Sequence, residues 1–156
     1  MKSGDWSLLF HRCALEQLER LKAASDKAVA SNPRDAPMNA NVKLYAALAK
    51  LMLETIPSDP ARDEYRQGNT MGPDFRHWRR AKIGRRFRLF FRYDSRTKVI
   101  VYAWVNDEKT LRSAGAGNDP YTVFQKMLSR GNPPDDWSKL ESESSPQKVE
   151  RPVKRR

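Results

Sequence analysis

The sequence predicts an α+β fold, on three observations. Two stretches in which apolar residues recur at helical spacing come first, three runs typical of β-strands follow, and another helical stretch comes after them. The chain has 156 residues, a length that suits one domain with a single core. We therefore predict one domain over residues 1–137 and a disordered basic tail over residues 138–156.

The N-terminal third predicts a short strand and two helices. Residues 5–10, DWSLLF, suit a first strand, and leucines recur at helical spacing through residues 13–29. Residues 41–56 place their apolar side chains on one face behind Asn41 as a helix cap, and we expect Pro57 to end this helix.

The middle of the chain predicts an antiparallel meander. Its three runs are residues 77–83, 86–93 and 98–106, and residues 94–97 supply a short connection between the last two. The third run is apolar almost throughout, as is typical of a central strand that is covered on both faces.

The last predicted helix begins with Asp119 as its cap and Pro120 at its first position, and Gly131 lies past its end. From Ser138 onward the sequence has few aliphatic residues and no aromatic residue. Such a segment buries too little apolar surface to offset the entropy of ordering, so we expect it to be disordered.

The charge of the chain favours a polyanionic partner. The formal net charge is +11, and residues 76–98 contain ten Lys and Arg against a single acid, Asp94. Most of the excess positive charge therefore lies in one short segment. Cations concentrated in this way attract nucleic acid through counterion release.

The alternation of strand side chains sorts these cations onto faces. In the second run, one face carries Phe87, Leu89, Phe91 and Tyr93, and the other carries Arg86, Arg88, Phe90 and Arg92. In the first run, Trp78, Arg80 and Lys82 share a face. We expect antiparallel pairing to place Arg80 and Lys82 beside Arg88 and Arg92, on the solvent side of the sheet.

An ordinary solvated sheet face is the simplest interpretation of this pattern. However, like charges opposite each other across strands destabilise the pairing, and no carboxylates alternate with these cations. A row of cations that holds phosphates explains the bias better, because the guanidinium fork matches phosphate oxygens. In this interpretation, Trp78, Phe90 and Trp104 offer stacking faces to unpaired bases.

Several blocks in one order resemble the YhaV toxins of type II toxin–antitoxin systems, within the RelE-like superfamily of messenger RNA endonucleases. The resemblance covers roughly residues 5–137. The blocks are YRQGNTMG (65–72), HWRRAKIG (77–84), RLFFRY (88–93), WVNDEKTLR (104–112), YTVFQKML (121–128) and RGNPPDDW (130–137).

The resemblance implies a RelE-like α+β fold, with an antiparallel sheet, two N-terminal helices and a C-terminal helix. It also implies a ribonuclease that acts on mRNA, often on translating ribosomes, and an antitoxin of the AbrB-like (PrlF-type) class. Promoter DNA is expected to be bound only through the complex with the antitoxin.

The resemblance also assigns candidate residues. Its two basic residues on the strand before the central hairpin correspond to Arg80 and Lys82, and its arginine on the next strand to Arg88. The basic residue after the last strand corresponds to Arg112 and its tyrosine near the last helix to Tyr121. The residues expected to contact RNA beside this catalytic set are Trp78, Arg79, Arg86, Arg92 and Lys109.

The expected chemistry is attack of a ribose 2′-OH on the adjacent phosphate, without metal or cofactor, while the cations stabilise the developing charge. Lys82 is the preferred general base, because neighbouring cations disfavour a further positive charge on it. His77 and Glu108 are weaker candidates, and Arg112 alternatively pairs with a nearby acid at the surface. The other function that the sequence leaves open is a basic RNA- or ribosome-binding inhibitor that does not cut.

Three further features limit the function classes. No apolar run approaches the roughly 18 residues of a membrane span, and the N-terminus lacks the apolar core of a signal peptide, so we expect a cytoplasmic protein and no membrane partner. Cys13 is the only cysteine, which excludes an internal disulfide and a multi-cysteine zinc site. We expect Cys13 and His11 to be structural.

Overall fold

The computed structural model describes residues 2–107, 119–147 and 149. The N-terminal elements are β1 (Lys2–Ser3), β2 (Trp6–His11), α1 (Arg12–Ser31), α2 (Ala40–Lys50), a π-helical turn (Leu51–Thr55) and α3 (Ile56–Ser58). The later elements are β3 (Arg79–Ile83), β4 (Phe87–Asp94), β5 (Val99–Val105), α4 (Pro120–Ser129), α5 (Trp137–Ser142) and β6 (Ser144–Ser145). The α+β prediction is confirmed.

Among the described residues, six strands form one sheet in the order β1-β2-β5-β4-β3, and β6 lies beside β2. β3, β4 and β5 form the predicted antiparallel meander. The pair formed by β2 and β5 is parallel, so the sheet is mixed. β5 is the central strand, as its apolar sequence predicted.

Both faces of the sheet are covered. On one face, α1 and α2 pack Leu18 and Leu48 against Leu89 and Phe91 of β4. On the other face, α4 packs its apolar side against β4 and β5, and the rings of Phe124 and Phe90 stack with their centroids 4.3 Å apart. The expectation that this second face is open to solvent is therefore wrong, because the amphipathic helix α4 covers much of it.

The helix limits follow local sequence chemistry. Asp119 caps α4 as predicted, since its carboxylate accepts a hydrogen bond from the backbone N–H of Tyr121. The cap of α2 is Asn39 instead of Asn41, and Asn39 Oδ1 accepts hydrogen bonds from two backbone N–H groups. The continuous helical run from Ala40 ends at Ser58, one residue after Pro57, so the predicted end is correct to within one residue.

His11 and Cys13 are structural, as expected. His11 is buried and caps α1, where its Nδ1 accepts a hydrogen bond from the backbone N–H of Cys13 at 3.1 Å. Its Nε2 lies 3.3 Å from a carboxylate oxygen of Glu143. Burial raises the pKa of the Cys13 thiol from 9.0 to about 11. In the described part of the chain, no helix combines the length and the apolar character that crossing a bilayer requires.

The prediction of disorder from residue 138 is wrong for residues 138–147. These residues complete α5, which Asp136 caps, and form β6, in which Ser145 pairs with Phe10 of β2. The side chain of Leu140 is completely buried against the α4 side of the sheet. The composition of the segment concealed this, because only two buried aliphatic residues of its described part, Leu140 and Val149, and a short backbone pairing connect it to the core. Residues 150–156 lie outside the described residues.

We predict that Leu140→Ala lowers the free energy of unfolding by about 2–5 kcal/mol, the usual cost of truncating a buried leucine. Urea denaturation measures this value. Lys139→Ala is the matched control, because its side chain is exposed on the same helix and its loss should change stability by no more than about 0.5 kcal/mol. Equal stability of both variants would contradict the docking of α5.

Candidate active site

The hydroxyl oxygen of Tyr121 joins two arginines from different strands. It accepts a hydrogen bond from Arg80 Nε on β3 at 2.8 Å and another from Arg88 Nε on β4 at 3.2 Å. Tyr121 lies in the first turn of α4 and is 6% exposed. The start of α4 and two strands of the meander therefore meet at one phenolic oxygen.

Each arginine has a second anchor on the backbone. Arg80 Nη1 donates to the carbonyl oxygen of Glu64 at 2.7 Å, and Arg88 Nη1 donates to that of Phe87 at 2.8 Å. Two contacts fix the plane of each guanidinium group, because its donors form a rigid fork. In the described part of the chain, no hydrogen bond involves Nη2 of either arginine.

Lys82 completes a cationic cluster on this face. It is directly opposite Arg88 in the pairing of β3 with β4, and it lies two residues along the same strand face from Arg80. Lys82 is exposed, Arg80 is partly buried and Arg88 is 6% exposed. The sequence correctly grouped these three residues, but its placement of Arg88 on the solvent side is wrong. We refer to Arg80, Lys82, Arg88 and Tyr121 as the cationic cluster.

Asn106 supports the cluster from the end of β5, and sequence reasoning did not identify it. Its Oδ1 accepts a hydrogen bond from the backbone N–H of Arg88 at 2.7 Å, and its Nδ2 donates to the carbonyl oxygen of Arg86 at 3.0 Å. Asn106 is 3% exposed. The sequence feature that could have identified Asn106 is its amide side chain directly after the apolar strand β5.

The aromatic residues expected to stack on RNA are buried instead. Trp78 and Phe90 have no exposed surface and Trp104 is 5% exposed. Trp78 packs edge-on against Phe124, and its Nε1 donates to Asp135 at 2.7 Å. Burial therefore contradicts the predicted role of Trp78 in RNA binding, because α4 occupies the position in which a base would stack.

The other basic residues expected to contact RNA lie in different surroundings. Arg79 points to the α1 and α2 face, where its guanidinium lies 5.9 Å from the ring centroid of Tyr93, so it is outside the cationic cluster. Arg86 is exposed in the turn before β4. Arg112, Lys109 and Glu108 lie outside the described residues, and their roles stay predictions.

We expected Arg92 to lie beside Arg80 and Lys82, and this expectation is wrong. Its guanidinium lies between two indole rings, 5.5 Å from Trp78 and 5.3 Å from Trp137, and it donates to the backbone carbonyl of Asp135 at 2.5 Å. Burial lowers the pKa of Arg92 from its ordinary value, against the opposing effect of nearby carboxylates. Arg92 thus fastens the segment before α5 to the sheet.

His77 pairs with an acidic residue of the C-terminal segment. His77 Nε2 lies 2.7 Å from Asp135 Oδ1, the carboxylate oxygen that also accepts from Trp78. Over residues 2–107, 119–147 and 149, the structure contains no group of three or more His, Cys, Asp or Glu side chains placed to bind a metal ion.

Comparison with known proteins identifies the family of the chain. The model of a family described as toxins with endonuclease activity, of toxin–antitoxin systems, matches residues 8–145. The chain is 40% identical over 143 residues to the ribonuclease toxin YhaV of Escherichia coli K12, covering 90% of this chain and 93% of the relative. The toxin YhaV of Escherichia coli O157:H7 matches to the same extent. No solved structure matches significantly. The resemblance inferred from the sequence is confirmed, and the chain belongs to the YhaV family of toxins.

Proposed function

We propose that this chain is the endoribonuclease toxin of a toxin–antitoxin system and that it cleaves mRNA at the cationic cluster. The observation that carries the proposal is the single phenolic oxygen that holds Arg80 and Arg88 in place beside the exposed Lys82. The endonuclease activity of the family and the ribonuclease name of the relative from Escherichia coli K12 support RNA cleavage.

The two arginines are suited to hold the scissile phosphate. Their Nη2 nitrogens are the donors left for a ligand once Nε and Nη1 are engaged by the protein. Guanidinium groups bind phosphate oxygens through charge-assisted hydrogen bonds. Because both groups are fixed before substrate arrives, they stabilise the extra negative charge of the transition state without reorganisation.

In the proposed reaction, the ribose 2′-oxygen forms a bond to phosphorus while the bond from phosphorus to the 5′-oxygen breaks. The proton of the 2′-OH passes to a general base, and the departing 5′-oxygen takes a proton from solvent water. We propose Lys82 as the base, because its amine is the group of the cluster that substrate reaches directly from solvent. DNA is excluded as a substrate by this chemistry, because it lacks the attacking hydroxyl.

The system implies an antitoxin that binds this chain, and we propose that it is of the AbrB-like (PrlF-type) class. An inhibitor of the reaction must cover the exposed cations, of which Lys82 and Arg86 are the accessible ones near the site. Acidic side chains of the antitoxin would complement them. Action on ribosome-bound mRNA and promoter binding through the antitoxin complex belong to the same proposal.

We predict that Lys82→Ala lowers the rate of RNA cleavage by about 100-fold and leaves the free energy of unfolding within about 0.5 kcal/mol of the parent. Arg88→Ala should lose activity and also about 1–3 kcal/mol of stability, because its hydrogen bond to Tyr121 is buried. Cleavage of labelled RNA, with and without translating ribosomes, and urea denaturation measure the two effects.

Arg96→Ala is the matched control, because it removes the same charge from an exposed hairpin and leaves the cluster intact. Full activity of Lys82→Ala at equal stability would contradict the assigned site. Binding of RNA by the parent without any strand break, alone and with ribosomes, would favour the inhibitor that does not cut.

We predict that cleavage persists in excess EDTA and produces a 2′,3′-cyclic phosphate and a 5′-hydroxyl. The reason is that the arginines supply the positive charge and an internal hydroxyl supplies the nucleophile. Mass spectrometry of the RNA ends identifies the products. Activity that is lost on chelation and restored by magnesium, or ends that carry a 5′-phosphate, would contradict this mechanism while leaving the endoribonuclease assignment in place.

A further inference from the structure

The turn that joins β3 to β4 lies beside the cationic cluster. It consists of Gly84, Arg85 and Arg86. Arg88 Nη1 lies 3.5 Å from the carbonyl oxygen of Gly84, and Nε of the same guanidinium group donates to the Tyr121 hydroxyl. One guanidinium group thus contacts both the turn and the cluster, so the turn adjoins the site on the cluster's own face of the sheet.

Hydrogen bonds fix the backbone of the β3–β4 turn. Asn106 Nδ2 donates to the carbonyl oxygen of Arg86 at 3.0 Å, and Asn106 Oδ1 accepts from the backbone N–H of Arg88 at 2.7 Å. Gly84 has a φ of 61°, in the left-handed region that favours glycine. The main chain that carries Arg85 and Arg86 is therefore held in place before a ligand binds.

The side chains of Arg85 and Arg86 are available to bind an anion. Both are exposed, and in the described part of the chain neither side chain takes part in a hydrogen bond, an ion pair or a ring contact with the protein. Asp107 lines a cleft between α1 and α2 on the opposite face of the sheet, together with Phe87. Two neighbouring cations without an acidic partner repel each other, and an anion bound by both removes that repulsion.

A phosphate of single-stranded RNA fits these side chains better than a base does. Guanidinium groups bind phosphate oxygens through charge-assisted hydrogen bonds. An unpaired base needs a ring on which to stack, and the nearest ring along the chain, that of Phe87, packs on the α1 and α2 side. The turn therefore suits the backbone of a strand whose scissile phosphate lies at Arg88.

We propose that the β3–β4 turn is a second phosphate-binding site, at which Arg85 and Arg86 hold a backbone phosphate of the RNA that flanks the scissile phosphate. The proposal rests on the proposed function and extends it from the reacting phosphate to its neighbour along the strand. It assigns a role to Arg85, and it specifies the group of the RNA that Arg86 binds.

The first test measures binding without cleavage. The probe is a single-stranded DNA dodecamer, which has the phosphates of RNA but lacks the 2′-OH. Arg85→Ala and Arg86→Ala should each bind it about threefold more weakly than the parent. Each should also reduce the steepness of log K against log salt by about 0.7, the value for one phosphate contact on a single strand.

Arg96→Ala is the matched control, because it removes an exposed arginine from the turn at the other end of β4 and should bind the dodecamer as the parent does. Urea denaturation of all three variants checks that they are folded.

The second test locates the phosphate. A DNA oligomer that contains one ribonucleotide can be cut only at that nucleotide, which fixes the register of the strand. Replacement of the phosphate that the turn binds by a neutral methylphosphonate should lower kcat/KM of the parent about threefold. In a variant that combines Arg85→Ala with Arg86→Ala, the same replacement should have no further effect, because the contact is already absent.

Two results would overturn the second phosphate site. One is an affinity and a salt dependence in both single variants that equal those of the parent, and weaker binding of the antitoxin by these variants would then make the turn a protein-docking surface. The other is a methylphosphonate effect as large in the double variant as in the parent. A parent that cuts no RNA, while its variants lose affinity and salt dependence as predicted, would contradict the proposed function alone.

Discussion

The site depends on one phenolic oxygen that receives two charged donors. Tyr121 accepts hydrogen bonds from Arg80 and Arg88, and bonds that involve a charged group contribute about 1.5–3 kcal/mol each. The tyrosine is held in turn by the cap of α4 and by the stacking of Phe124 on Phe90. The packing of α4 against the sheet therefore sets the geometry of the two arginines.

This dependence explains why a buried arginine is stable in the sheet. A guanidinium group removed from water is destabilising unless its donors find partners. The side chain of Arg88 donates hydrogen bonds to the Tyr121 hydroxyl and to the backbone carbonyl of Phe87. Its backbone N–H donates to the side-chain oxygen of Asn106. These contacts offset the loss of hydration and aim the remaining nitrogen in one direction. Preorganisation of the site and stability of the fold thus arise from the same hydrogen bonds.

The cations of the central segment divide into different tasks. Arg80, Lys82 and Arg88 lie on the same face of the sheet. Arg92 lies between two indole rings and holds the C-terminal segment against the sheet. Arg79 lies on the opposite face beside Tyr93. The high positive charge of residues 76–98 therefore reflects structural roles in addition to the role of the cationic cluster.

Strand periodicity predicted which cations share a face, because the alternation of side chains is local and regular. It could not predict which side of the sheet α4 covers, since that depends on contacts between distant parts of the chain. The burial of Trp78, Phe90, Trp104 and Arg88 was missed for this reason. The bulge that pairs Phe90 with Trp104 and Phe91 with Tyr102 is likewise invisible in the alternation of apolar residues.

The C-terminal segment and Asn106 show the same limit. Low hydrophobicity predicted disorder after residue 137, yet Leu140 and Val149 are buried in the core and β6 adds backbone pairing. Asn106 has no motif of its own, and its importance follows from two backbone partners on β4. The family resemblance supplied Tyr121, which spacing alone did not single out from the other aromatic residues of α4.

The most direct test of the central claim is the single-turnover rate of RNA cleavage by Tyr121→Phe at saturating substrate. The substitution removes one oxygen and keeps the ring that packs against Phe90. Loss of the shared acceptor should free both guanidinium groups and lower the rate by about 100-fold, the usual effect of a small misplacement of reacting groups. A rate within twofold of the parent would show that the two arginines do not need Tyr121, and it would contradict the account.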